Sequence, residues 1–376
     1  MMLRTMLATA ALAIATSTAA HAQTVFPDLA PGSLVQDCGA ANASPDICRL
    51  REAIPAETIA TQLGQARSAV WREGDRLLVV ARTQAAEPML AGAILAPLAK
   101  IEGTDLATLV VRIPRLDEAL IDVFMVGGTG PVTPLVYRGP KTPPAQTPVP
   151  ELRGRLVEES LDGKALGAPR GLTVYLPPGF DQARTYPVAY LADGRSVAFY
   201  ARCIEPAILD GRIRPVVLVG VHSGQGQQRA VDYLLDWKGS SAGFEAHERF
   251  FLDEVMPRAE TLYGASKKRE ERLVTGKSNG GDWALDIALR HPDLFAQAAP
   301  AAMARTKAQG VETPGRPRLL VTTGLFDPRI NRSREIVARA KGSGDEVALI
   351  EPVSGHGGLF YQERLIEILA WAFGRP

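Results

Sequence analysis

Residues 276–280 read Gly-Lys-Ser-Asn-Gly and stand between a strand-like run at 272–275 and a helix-like run at 283–290. A G-x-S-x-G turn that joins a strand directly to a helix holds its serine, here Ser278, on a tight bend with the hydroxyl exposed. The flanking glycines follow from the same geometry, because side chains there would meet the neighbouring strand and helix. Alone the pattern is weak in a chain of 376 residues with 35 glycines, so the surrounding sequence has to supply its context.

That context is an alternation. Residues 173–176, 188–192, 216–221, 273–275, 296–299, 319–323 and 347–350 read as short apolar strands, and 244–263, 283–290, 333–340 and 361–373 as helices. Strands alternating with amphipathic helices predict an α/β fold, a mostly parallel sheet with helices on both faces. The alanine-rich run at 296–299 is the poorest strand former of the set. Upstream, Val-, Ile- and Leu-rich runs at 69–72, 76–82, 106–113 and 119–126 are separated by turn signals at 73–75 and 102–104, which predicts a small β-sandwich. Residues 50–66 are more helical in composition and are expected beside it. Five of the twelve residues at 139–150 are proline, the mark of a stiff linker. The expected organisation is a signal peptide at 1–22, an N-terminal β-sandwich domain at 23–138, a linker at 139–150 and a catalytic α/β domain at 151–376.

The signal assignment rests on a lone Arg4, an apolar stretch at 6–15 and the small-residue triplet Ala20-His21-Ala22, with cleavage after Ala22. The apolar stretch is short for a membrane span, and no later segment reaches that length. The expectation is an exported protein, in the simplest case periplasmic, with no membrane span in its mature form. A formal net charge of +1 gives no support for nucleic-acid binding. Cys38 and Cys48 are close enough to form a disulfide in an oxidising compartment, leaving Cys203 unpaired. The three cysteines lack a metal-site spacing, so no metal is expected.

A serine hydroxyl needs a base to take its proton. His356 lies in Ser-Gly-His-Gly-Gly at 354–358, a glycine-rich loop after the last predicted strand, and is the leading candidate; His222, which follows the strand at 216–221, is the alternative. His247 lies within a charged helical stretch and is expected to be solvated; His291 reads as a helix terminator. For the carboxylate that orients the imidazole, Asp327 follows the strand at 319–323, and the order Ser, Asp, His suits this class of fold. Its competitors Glu335, Asp345 and Glu346 lie on a helix or at the wrong end of the sheet. Oxyanion donors are expected from the backbone of Asn279 and from the loop at 193–196, through Gly194 or Arg195.

Taken together these stretches resemble the esterase-D-like branch of the α/β hydrolases, and within it the enterochelin (ferric siderophore) esterases and the feruloyl and acetyl-xylan esterases. Residues 186–194, 229–233, 251–257, 276–281, 289–295 and 354–358 carry the likeness, which spans roughly 152–375; the early-set sandwich of the enterochelin esterases is echoed more faintly around 70–75. The resemblance implies an α/β-hydrolase fold and an esterase using Ser278, His356 and Asp327 with no cofactor, acting on a small-molecule ester. Two departures stand out. Lys277 occupies a position that is usually uncharged in the family, and Gly357-Gly358-Leu359-Phe360 replaces an acidic and aromatic continuation. Arg195, Arg202, Lys277, Arg329 and His222 are candidate substrate contacts, and the same cations read equally as solvated surface charges. Siderophore esters and feruloyl or acetyl sugar esters are the substrate classes to separate. A peptidase or acyltransferase uses the same fold, and a non-catalytic binding protein on this scaffold is the alternative from another class.

Overall fold

The computed structural model describes residues 23–29, 35–126 and 133–374. The signal segment at 1–22 lies outside the described residues.

The N-terminal part is antiparallel. Strands β1 (Thr24–Val25), β2 (Cys48–Arg49), β3 (Ser68–Glu73) and β4 (Arg76–Arg82) precede β5 (Met89–Gly92), β6 (Ala96–Pro97), β7 (Ala99–Ile101), β8 (Leu106–Arg112), β9 (Leu120–Val126) and β10 (Leu135–Arg138), with one helix, α1 (Ala56–Leu63). They form a sheet in the order β1-β7-β8-β4-β3, with β2 on β8, and a second sheet in the order β10-β9-β5-β6. The alternation of a strand decides what each face buries. Leu77, Val79 and Ala81 of β4 and Ala107, Leu109 and Val111 of β8 meet Leu90, Ile121 and Val123 of the second sheet in one apolar core. Val80 points the other way, onto Ile59 and Leu63 of α1, so the helical stretch does pack beside the strands. Cys38 and Cys48 are joined as a disulfide, and Cys203 is free and buried.

Residues 139–150 form no helix or strand, yet they are bonded down. Gln146 donates to the Glu363 carbonyl at 2.5 Å, and the Val149 N–H donates to the Arg202 carbonyl at 3.1 Å.

Beyond them lies an eight-stranded sheet of β11 (Arg155–Leu161), β12 (Arg170–Leu176), β13 (Val188–Leu191), β14 (Val217–Val221), β15 (Arg272–Lys277), β16 (Gln297–Ala301), β17 (Arg318–Thr322) and β18 (Val347–Ile350). The order is β11-β12-β14-β13-β15-β16-β17-β18. β11 and the β12–β14 pair are antiparallel, and β14 through β18 pair in parallel. This is an α/β-hydrolase-like sheet. The helices are α2 (Val197–Leu209), α3 (Gln227–Tyr233), α4 (Ala242–Phe250), α5 (Met256–Leu262), α6 (Asn279–Arg290), α7 (Ile330–Lys341) and α8 (Leu359–Phe373). One face of the sheet packs on α3, α4, α6 and α7; the other packs on α2 and α8. Among the described residues no helix is long and apolar enough to cross a membrane.

The helix expected at 244–263 is α4 and α5 joined by a π-helical turn at Phe251–Val255. Its histidine departs from the sequence expectation. His247 is fully buried, not solvated. Its ring lies against Tyr233, Phe250 and Trp283, with centroids 5.3, 6.2 and 5.7 Å away. Neither ring nitrogen has a hydrogen-bond partner among the described residues. Burial pushes its pKa from 6.5 down to about 4, against the pull of Asp232 and with the help of Arg170. The unfolded chain therefore binds a proton that the folded chain refuses between these values. The stability from a neutral His247 is complete above pH 6.5 and is lost as pH falls toward 4. His247→Phe is expected to flatten the fall in urea-unfolding free energy between neutral and mildly acid pH by a few kcal/mol, since a proton refused over one pH unit is worth roughly 1.4 kcal/mol. An equally steep fall in the variant would count against this account.

Candidate active site

β15 delivers its last residues into a bend that α6 leaves immediately. Ser278 sits on that bend at φ 59°, ψ −127°, a left-handed conformation that costs a non-glycine residue about 1–3 kcal/mol. Surrounding bonds hold it there. The Ser278 N–H donates to the Ala301 carbonyl at 2.9 Å, while the N–H groups of Gly281 and Asp282 donate to the Ser278 carbonyl at 2.8 and 3.0 Å. The glycines have the expected reason. A Cβ on Gly276 would fall on the Gly280 carbonyl, and one on Gly280 would come within 2.7 Å of the Ala192 Cβ.

His356 and Asp327 come from the loops after β18 and β17, at the same sheet edge. His356 Nε2 lies 3.1 Å from Ser278 Oγ, and its Nδ1 lies 2.6 Å from Asp327 Oδ2. The Asp327 side chain is fully buried and His356 is 23% exposed, so the carboxylate is shielded while the imidazole reaches the surface. Asp327 Oδ1 also accepts the Arg329 N–H at 2.8 Å, which fixes the carboxylate plane. Glu335 is exposed on α7. His222 is engaged elsewhere, with Nε2 2.7 Å from Thr173 Oγ1.

β13 lies beside β15 in parallel, with Leu191 opposite Thr275, so the loop after it adjoins the Ser278 bend. There Gly194 is buried against the Gly220 carbonyl, which a Cβ would strike, and Arg195 is exposed. The Asn279 N–H is the first of α6 and has no carbonyl of its own helix to bond. The backbone at Gly194 and Arg195, which opens the turn into α2, is in the same position.

The sequence did not single out what holds this loop. Asp193, at φ 55°, receives Arg229 of α3 in a two-pronged ion pair at 2.7 Å on each oxygen. Its N–H donates to Tyr233 Oη at 2.9 Å. Arg229 reaches on to the Lys277 carbonyl at 3.3 Å, tying the loop to the bend. Asp282 on α6 accepts the N–H groups of Ala304, Arg305 and Thr306, and burial raises its pKa to about 6.

The cations expected near the site divide. Arg202 donates to the Pro150 carbonyl at 2.6 Å. Lys277 Nζ donates to the His356 carbonyl at 2.9 Å. Arg329 is exposed two residues beyond Asp327, and Arg195 is exposed on the 193–196 loop.

Residues 163–310 match the esterase family model described as "Putative esterase". The enterobactin esterase from Shigella flexneri, solved in the presence of enterobactin, matches with a TM-score of 0.64 at 15% identity, over 85% of this chain and 99% of that one. The fold is that of the enterobactin esterases. The ferric enterobactin esterase from Salmonella typhimurium matches this enterobactin-esterase fold with a TM-score of 0.63 at 14% identity, over 84% and 98% of the two chains. A ferulic acid esterase matches with a TM-score of 0.50 at 18% identity, over 58% of this chain and 97% of its own. These are the groups the sequence resembles, and the family match supports an esterase.

Proposed function

We propose that this protein is a serine esterase that hydrolyses carboxylic esters through Ser278, His356 and Asp327. The observation that carries the reading is the continuous hydrogen-bonded chain from Ser278 Oγ through the His356 ring to the buried Asp327. Ser278 Oγ attacks the ester carbonyl as His356 Nε2 takes its proton. The oxyanion that forms is held by the N–H of Asn279 and by that of Gly194 or Arg195. His356 returns the proton to the departing alcohol, and water, deprotonated by His356, releases the acid from Ser278. Asp327 remains a carboxylate throughout and holds the proton on Nδ1. These steps call on no metal or organic cofactor.

For the substrate, siderophore-type esters are the first choice. The likeness to the two enterobactin esterase structures extends over both the N-terminal sheets and the α/β part, and Arg195 and Arg329 are exposed beside the site residues. In this reading the N-terminal sheets are a β-sandwich domain at 23–138, joined by 139–150 to a catalytic domain at 151–376. Export to the periplasm, with cleavage after Ala22, is part of the same proposal and rests on the pattern of residues 1–22. Feruloyl or acetyl sugar esters are the second reading, favoured by the match to a ferulic acid esterase over 58% of this chain.

The test is hydrolysis of ferric enterobactin beside methyl ferulate, with a phosphonate probe for the serine. The expected outcome is labelling at Ser278 and a kcat/KM at least about tenfold higher on the siderophore, a difference of about 1.4 kcal/mol in transition-state binding. A reversed ratio selects the sugar-ester reading. No turnover and no labelling would leave a binding protein on a hydrolase scaffold.

A further inference from the structure

Lys277 and Asp122 converge on the backbone that carries His356. Lys277 Nζ, from the last residue of β15, donates to the His356 carbonyl at 2.9 Å. Two residues on, the Gly358 N–H donates at 3.0 Å to Oδ2 of Asp122, which belongs to β9 of the N-terminal sheets. The other oxygen, Asp122 Oδ1, is buried without a hydrogen-bond partner among the described residues and fills the place a Cβ on Gly357 would take. On the near side of His356, a Cβ on Gly355 would fall on the Ala93 carbonyl. The Leu120 N–H also donates to the Val353 carbonyl at 3.0 Å, and Val353 and Phe326 are buried in the core of the N-terminal sheets. The histidine loop is thus seated on the N-terminal part over its whole length.

We propose that Asp122 and Lys277 are positioning residues for His356: the ammonium holds the carbonyl end and the carboxylate the amide end of residues 356–358, so that the N-terminal sheet sets the aim of the imidazole at Ser278. This rests on the esterase reading above. It also gives Lys277 a task within the fold that needs no substrate. The charges facing Lys277 are Asp122 from β9, Asp327 beyond β17, Asp193 beyond β13 and Arg229 from α3.

The test uses the full-length chain on p-nitrophenyl acetate. Lys277→Met and Asp122→Ala are each expected to lower kcat about ten- to hundredfold, the scale of a misplacement near 1 Å, with little change in KM. Lys277→Gln and Asp122→Asn keep a donor and an acceptor in place and should recover most of that loss. A merely structural pair would lose activity in step with stability and would not show this rescue. Wild-type kcat in Lys277→Met and Asp122→Ala, beside an inactive Ser278→Ala, overturns the positioning role and leaves the esterase reading intact. So does a loss that follows the melting temperature and is not recovered by Gln or Asn. If Met and Ala fail to fold, the Gln and Asn variants decide: a kcat more than tenfold below wild type in a folded protein overturns the proposal. A wild type no faster than Ser278→Ala removes the esterase reading and this inference with it.

Discussion

Ser278→Ala is expected to reduce kcat on p-nitrophenyl acetate by about a millionfold, to background, while the protein melts at nearly the wild-type temperature. The size follows from how such groups act. Nucleophile, base and orienting acid work as a unit, and loss of the nucleophile alone removes nearly all the acceleration the unit supplies. Stability should be spared because the Ser278 hydroxyl faces His356 Nε2, whereas the bonds that hold the bend are made by its backbone. Alanine tolerates φ 59° no better than serine does, so the strain of the bend is the same in both proteins. Initial rates and a thermal melt on the two proteins check it. Retained turnover in the variant would place the chemistry on another residue.

Asp327→Asn is expected to lower kcat by about ten thousandfold with KM little changed, through a change of tautomer rather than a loss of packing. The argument is local. Asp327 Oδ1 accepts the Arg329 N–H at 2.8 Å, and a backbone donor has no alternative orientation. An asparagine must therefore keep its carbonyl oxygen on that side and turn its NH2 toward His356 Nδ1. That nitrogen then has to accept, so the ring proton moves to Nε2. The nitrogen facing Ser278 Oγ can no longer take its proton. Burial of the Asp327 side chain denies the amide a solvated escape from this arrangement. A fall of less than tenfold would mean that the carboxylate does not set the tautomer.

Much of this was legible in the sequence because each clue was local. The Ser278 bend announces itself by its glycines between strand and helix. His356 and Asp327 could be placed because both follow strands, in an order that brings their loops to one sheet edge. The interior strands stand out as apolar runs because both their faces are buried. β11 does not, since it is a half-exposed edge strand with Glu158, Glu159 and Ser160 in its middle. α2 was obscured by Pro206, which lies in its last turn, where the ring is easier to accommodate than in mid-helix. His247 was misread from the charged residues around it, although Phe244, His247 and Phe251 recur at helical spacing and share the buried face. That period was the better guide. Asp122, and the pairing of Asp193 with Arg229, carried no local signal. Their partners lie far along the chain, and only the folded sheet brings them together.

The seating of the histidine loop has a consequence for how such chains can be recombined. Gly355 and Gly357 are needed because the Ala93 carbonyl and the Asp122 side chain already fill the space where their Cβ atoms would be, and those two residues, in the bend after β5 and in β9, lie more than two hundred positions earlier. Residues 354–358 and the β5–β9 surface therefore form one sterically matched unit, although the chain separates them. A chimera that takes its N-terminal sheets from a related protein must take the matching histidine loop as well. A chain built without those sheets would be free to carry side chains at both positions.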